Sequence, residues 1–225
     1  MPNFKKGGEI TMQTGSYNFY KPTFDWYGTF NKNSAFRING SYENSESFRD
    51  FVTKKRYYIN PSLLFKVNHK TEITLQADYF NDDWTPDFGT GSIGKEIASI
   101  HRNTYLGTSW ASGNTKQTTA SVLVMHQFNK QWKLNFNASF QDFSREWKGT
   151  ERIQPLANGD WNRPLAQNKT TEQIFANQLS FQGCFKTGSI KHQLFTGIDT
   201  EKSETDTATF RFFNATNGAT ITTYD

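Results

Sequence analysis

From Thr71 to Phe80 the chain alternates without a break: Ile73, Leu75, Ala77 and Tyr79 fall on one side of an extended backbone, Glu72, Thr74, Gln76 and Asp78 on the other. Successive side chains of a strand point to opposite faces, so this pattern specifies a β-strand with one apolar and one polar face. Trp132–Gln141 repeats the device, setting Trp132, Leu134, Phe136, Ala138 and Phe140 against Lys133, Asn135, Asn137, Ser139 and Gln141. A third copy sets Phe36, Ile38, Gly40 and Tyr42 against Arg37, Asn39, Ser41 and Glu43. Helical spacing is hard to find, and a chain built of such strands must place its two faces in two different surroundings.

Composition narrows those surroundings. Only 35% of the residues are apolar and the mean hydropathy is -0.75, yet 16% are aromatic. Disordered chains are poor in aromatic residues, so the polarity belongs to a folded protein. No apolar run approaches the roughly 18 residues of a membrane-spanning helix, so a membrane role would have to use strands. The net charge of +4 is spread along the chain, without the stripe or block of a nucleic-acid footprint, and no nucleic-acid partner is expected. The single cysteine, Cys184, has no partner for a disulfide and reads as a small apolar filler. The N-terminus lacks the apolar stretch of a secretion signal, which for an exported protein implies a missing N-terminal part.

The alternation predicts nine strands, at about 8–15, 17–30, 34–46, 54–67, 71–82, 115–128, 132–146, 173–186 and 190–202. Tight polar turns are expected at Asn31–Asn33, Asn68–Lys70, Asn129–Gln131 and Thr187–Ser189, with longer loops over 44–54, 81–114, 147–172 and from 203 onward. Only the connection at Gly15 and Ser16 breaks this order by being short. Most strands reach the roughly 9–11 residues that a tilted transmembrane strand needs. Aromatic residues gather at their ends: Phe30, Phe65, Phe128 and Trp132 by the short turns, Tyr79, Phe80, Phe143 and Trp147 by the long loops. Long strands, one-sided loops and two aromatic girdles predict an all-β, antiparallel, up-and-down transmembrane barrel of the bacterial outer membrane, lying in its lipid. Such barrels have even strand numbers, and Thr220–Asp225 reads as loop, so nine strands predict a segment of a larger barrel. The rival is a soluble carbohydrate-binding or adhesive β-sandwich, in which the same rings would form a packed core.

Several segments carry a resemblance. The opening KKGGEITMQTGSYNF (Lys5 to Phe19), RINGSYENSESFRDFV (Arg37 to Val52), RYYINPSL (Arg56 to Leu63) and DYFNDDWTPDFGTG (Asp78 to Gly91) resemble the first strands and third outer loop of TonB-dependent siderophore receptors of the ferrichrome type. GTERIQP (Gly149 to Pro155), NGDWNRPL (Asn158 to Leu165) and KTGSIKHQLFTGID (Lys186 to Asp199) resemble their fourth outer loop and the following hairpin. The resemblance covers almost the whole chain and implies a barrel of about 22 strands around a plug. Such receptors import ferric siderophores across the outer membrane of Gram-negative bacteria, driven through TonB. By the same resemblance residues 1–7 end the plug-to-barrel junction and 8–225 are a partial barrel. The plug, through which TonB acts, and the TonB box would lie upstream of Met1.

A ferric siderophore arrives with its iron already wrapped in oxygen ligands, so a receptor grips the outside of the complex with rings, hydrogen-bond donors and arginines. The long loops offer Trp84, Phe88, Arg102, Tyr105 and Trp110, then Trp147, Arg152, Trp161 and Arg163. The same side chains could instead pack loop against loop. Arg37, Asn39, Ser41, Glu43, Gln76, Asp78, Asn135 and Asn137 would face the lumen and its plug. Asp82, Asp83 and Asp87 lack the spacing of a calcium loop, and read as turn and strand-end residues. The four histidines are scattered, and no metal site or cofactor is expected. There is no GxSxG elbow, Walker loop or HExxH, and an enzyme is not expected.

Overall fold

The computed structural model describes residues 1–210. They form β1 (Gly7–Gly15), β2 (Phe19–Asn31), β3 (Ser34–Glu46), β4 (Thr53–Asn68), β5 (Thr71–Trp84), β6 (Ser92–Ile93), β7 (Glu96–Ile97), β8 (Ser112–Gln127), β9 (Trp132–Thr150), β10 (Gln154–Pro155), β11 (Trp161–Asn162), β12 (Leu165–Thr187) and β13 (Ile190–Phe210). Nine of these make one sheet in the order β1-β2-β3-β4-β5-β8-β9-β12-β13, each strand antiparallel to its neighbours. The expected nine-strand meander is therefore the observed one. β6-β7 and β10-β11 are two small hairpins inside the long loops, which sequence reading left without structure.

Register keeps the two faces separate across the whole sheet. Phe65, Ile73, Val124, Phe136, Leu179 and Ile198 stand in one row across six strands. The alternate row joins Ser62, Gln76, Ser121 and Ser139. Ile10 is 85% exposed, Trp26 61% and Ile198 64%, and no large side chain among the described residues is fully buried. A β-sandwich needs a second sheet against this face to make a core; none is present among the described residues, which removes support from the soluble module. An exposed apolar face backed by a polar one is the construction of the transmembrane β-barrel class.

Both edges of the apolar band are ringed with aromatic side chains. At the loop end, Tyr20, Tyr42 and Tyr57 form a ladder with centroids 5.6 and 4.8 Å apart. At the turn end, Phe36 packs on Trp26 at 5.1 Å and on Phe30 at 5.0 Å, and Trp132 stacks on Phe181 at 5.0 Å. Three of the four short turns are closed by the asparagine that opens them. Asn31 and Asn68 accept a hydrogen bond at 2.8 Å from the amide two residues on, and Asn129 accepts from Gln131 at 2.8 Å and Trp132 at 3.1 Å. This is the Asx-turn, in which the side chain substitutes for a backbone acceptor. The fourth turn uses Gly188 at a φ of 61°.

Several strands run further than the alternation predicted. β9 continues to Thr150, β12 begins at Leu165 and β13 continues to Phe210, so the fourth loop is 151–164 rather than 147–172, and 203–210 is strand. The third loop is 85–111 and the second 47–52, both shorter than expected. The reason lies in the residues: beyond Phe140 the apolar side of β9 becomes Asp142, Ser144, Glu146 and Lys148. The outer side is polar there while the inner side carries Phe143 and Trp147, so the period-two signal is lost while the ladder continues. The expected loop at Thr220–Asp225 lies outside the described residues.

Candidate functional site

The polar face of the sheet is bonded side chain to side chain. Arg37 donates to both oxygens of Asp25, at 2.8 and 2.6 Å, and Lys21 meets Glu43 at 3.1 Å. Asn39 donates to Asn60 at 3.4 Å, Asn60 in turn to the Ala77 carbonyl at 2.8 Å, and Asn135 to Ser180 at 3.4 Å. Ser41 stands opposite Tyr58, Gln76 opposite Ser62, Asp78 opposite Thr119, and Asn137 opposite Gln178. All eight residues expected to face the lumen therefore share one face of the sheet.

At its loop end this face opens into a cavity of about 660 Å³, within the size range of small-ligand sites. Its floor follows the register: Ser45 opposes Lys54, Lys54 opposes Trp84, Asp82 opposes Thr115, and Thr115 opposes Arg145. The Trp84 indole donates to Thr115 Oγ1 at 3.4 Å, and the Arg145 guanidinium lies 5.0 Å from its ring centroid. Gly113, directly across from Trp84, makes this possible, because a Cβ there would fall 2.4 Å from the ring. Asp82 accepts from Arg56 Nη2 at 2.7 Å, while Asp82 Oδ1 and Arg56 Nε are buried without a hydrogen-bond partner.

The roof comes from the loops. Phe48 and Val52 line the cavity from 47–52, and Tyr17 joins them from the turn between β1 and β2. Tyr17 holds a φ of 61°, a conformation that costs energy for a residue with a Cβ, and its carbonyl accepts from the Glu46 amide at 2.8 Å. Arg49 reaches across to Asp87 at 3.2 Å and donates to the Thr104 carbonyl at 3.2 Å. Asp50 and Asn103 exchange two hydrogen bonds of 2.9 Å. The guanidinium groups of Arg49 and Arg102 lie 5.7 and 4.8 Å from the centroid of the Phe48 ring. These contacts tie 47–52 to 85–111 beside the cavity mouth.

Of the nine loop residues that sequence reading offered as ligand contacts, one lines this cavity: Trp84, which is on β5 rather than in a loop. Trp147 is likewise a strand residue, 9% exposed, with Phe88 packed on it at 5.0 Å. Tyr105 donates to the Pro86 carbonyl at 3.0 Å, Arg102 covers Phe48, and Trp110 lies 5.9 Å from Lys148 Nζ. Trp161 sits in β11 opposite Pro155, and Arg163 precedes β12. Arg152 projects at the surface, 3.8 Å from Glu151. The acidic trio is divided among Arg56, Asn114 and Arg49, by way of Asp82, Asp83 and Asp87 respectively. Cys184 is exposed rather than packed as filler. Sequence reading missed Phe48, Lys54 and Arg145 as cavity residues. Carrying the parity of Asn135, Asn137, Ser139 and Gln141 on to Arg145 would have found the last.

No family model matches the chain. Among curated proteins, the metal-pseudopaline receptor CntO of Pseudomonas aeruginosa is 24% identical over 221 residues, covering 96% of this chain and 31% of its own length. The probable TonB-dependent siderophore receptor PiuA of Acinetobacter baumannii is 24% identical over 236 residues, covering 97% of this chain and 31% of its own. The crystal structure of that siderophore receptor PiuA superposes with a TM-score of 0.86 at 19% identity, over 98% of this chain and 33% of the receptor chain. The chain thus spans about a third of the length of the relatives it matches. By sequence this chain is similar to TonB-dependent siderophore receptors, and by fold it matches a portion of their β-barrel.

Proposed function

We propose that this chain is membrane wall and part of the outer ligand-gripping surface of a receptor that imports ferric siderophores, coupled to TonB through a plug that the chain itself does not supply. Residues 8–225 are its partial barrel, and 1–7 the end of the junction with the plug. The observation that carries the reading is the pairing of an exposed apolar face with a polar face that opens, at the loop end, into a cavity lined by Tyr17, Phe48, Trp84, Lys54 and Arg145. A wall alone would not need its loops tied into a roof. Iron is cargo here, held by the siderophore's own oxygens, so the cavity has only to recognise the outside of the chelate through rings and donors. In this reading the eight lumen residues also meet the plug, while the loop residues outside the cavity hold the roof in shape or touch the chelate from above.

The test is uptake of radioactive iron by an iron-starved outer-membrane host with and without the full gene product. Siderophore-dependent uptake that disappears when TonB is removed supports the proposal. A gene product that fractionates as a soluble protein, or uptake indifferent to the siderophore supplied, contradicts it.

A further inference from the structure

The chain's positive charge is scattered in sequence but gathered in space. Within three residues of the short turns at 31–33, 68–70, 129–131 and 187–189 stand seven lysines and one carboxylate, Glu72, although the whole chain has a net charge of only +4. The up-and-down topology brings these turns to one end of the sheet. Glu72 is taken by Lys66, at 3.8 Å. Lys32, Lys70 and Lys130 occupy the turns themselves, and Lys133, Lys186 and Lys191 lie within two residues of one. All six are exposed, and none makes an ion pair among the described residues. Lys186 and Lys191 oppose each other directly across the last hairpin, an arrangement of like charges that destabilises a strand pair. At the loop end, by contrast, Lys55, Lys116, Lys148 and Lys169 share their pocket with Asp83 and Glu146.

The aromatic girdle at the same end sets what surrounds these lysines. Phe30, Phe128 and Trp132 are the immediate neighbours of two of the turns, and Trp132 stacks on Phe181. In a membrane wall such rings mark the level at which hydrocarbon gives way to headgroups. Lysines one or two residues further on stand at headgroup level, their stems carrying the ammonium groups into the wet layer. A phosphodiester there supplies the anion that the chain itself lacks, accepts charge-assisted hydrogen bonds and relieves the repulsion between neighbouring lysines. Resting on the barrel reading above, in which the short turns face the periplasm, we infer that this rim is a docking surface for anionic glycerophospholipids of the phosphatidylglycerol kind. Lys32, Lys70 and Lys130, one from each of three neighbouring hairpins, are its headgroup contacts, and Lys186 and Lys191 make the fourth. Each contact is weak, and their sum gives the preference.

The experiment uses the full gene product reconstituted in phosphatidylcholine vesicles with a trace of spin-labelled lipid, where electron spin resonance separates lipid held at the protein from lipid free in the bilayer. Spin-labelled phosphatidylglycerol is expected to be enriched at the protein over spin-labelled phosphatidylcholine, and the enrichment to fall as salt is raised. Replacing Lys32, Lys70, Lys130, Lys186 and Lys191 together by Gln should lower the enrichment about twofold or more, and replacing the same five by Arg should keep it. A variant with Lys55, Lys116, Lys148 and Lys169 replaced by Gln at the loop end should change it less. Absence of enrichment, a Gln variant as selective as its parent, or an equal loss in the loop-end variant would overturn the docking surface and leave the importer standing. Soluble polyglutamate held by the rim in place of lipid would overturn it too, and point to an acidic polypeptide partner. A gene product that does not enter the vesicles at all would sink the barrel reading, and this inference with it.

Discussion

Gly183 shows how much a single hydrogen atom can decide in a wall one layer thick. A Cβ at this position would stand 2.1 Å from the Trp132 ring, which lies flat across the glycine and stacks on Phe181. Gly183→Ala is therefore expected to lift the indole from its stack, at a cost of about 1–3 kcal/mol from overpacking. The measurement is equilibrium unfolding in detergent, read by tryptophan emission; an unchanged midpoint and spectrum would show that the ring has room to move. At this scale sequence reading had a mixed record. It assigned Arg37, Asn39, Gln76 and Asn137 to one face because each follows an apolar neighbour by one position, a relation that strand geometry fixes locally. It placed Trp84 and Trp147 in loops because a tryptophan beside polar residues looks alike in a loop and in a strand above the lipid. What separates them is the partner across the ladder, Gly113 for both, and that partner is distant in sequence.

At the scale of elements, the short turns were legible and the long loops were not. An asparagine two residues before an amide carries its own turn, so Asn31, Asn68 and Asn129 announce theirs within three residues. Loop 85–111 takes its shape from contacts with 47–52 and 151–164: Arg49 on Asp87, Asp50 on Asn103, and the Gln154 amide on the Ser92 carbonyl. No local pattern specifies such contacts. Arg49 makes two attachments between 47–52 and 85–111 with one side chain: an ion pair to Asp87 and a hydrogen bond to the Thr104 carbonyl. Arg49→Ala should then free 47–52 from 85–111 while the barrel wall stays intact. Limited proteolysis of the full gene product in intact outer membranes ought to show cleavage within 85–111 at least several times faster, with strand content by circular dichroism unchanged. Equal cleavage rates would mean that the two hydrogen bonds between Asp50 and Asn103 suffice.

For the whole molecule, the decisive property is which solvent each face meets. Val124 stands in the middle of the apolar row, between Ile73 and Phe136, and Ser121 stands on the opposite face between Gln76 and Ser139. In a bilayer an arginine at the first position should cost about 2–4 kcal/mol, and on the wet face far less. Val124→Arg and Ser121→Arg, compared by urea titration in phospholipid vesicles, are expected to differ by that margin. Equal effects would contradict the assignment of the outer face to lipid. The separation of an apolar from a polar face was the part most legible in the sequence, because alternation reports it directly wherever the two sides differ. The meander has a further consequence for how the wall is made. Every strand of the nine pairs only with those next to it in the chain, so each hairpin offers an edge on which the next can form. Assembly can proceed like the closing of a zipper, in the order of synthesis, with no strand from β2 to β12 waiting for a distant partner. Damage should stay equally local: a strand that fails to form leaves two unpaired edges beside it, and the hairpins already closed behind it keep their register.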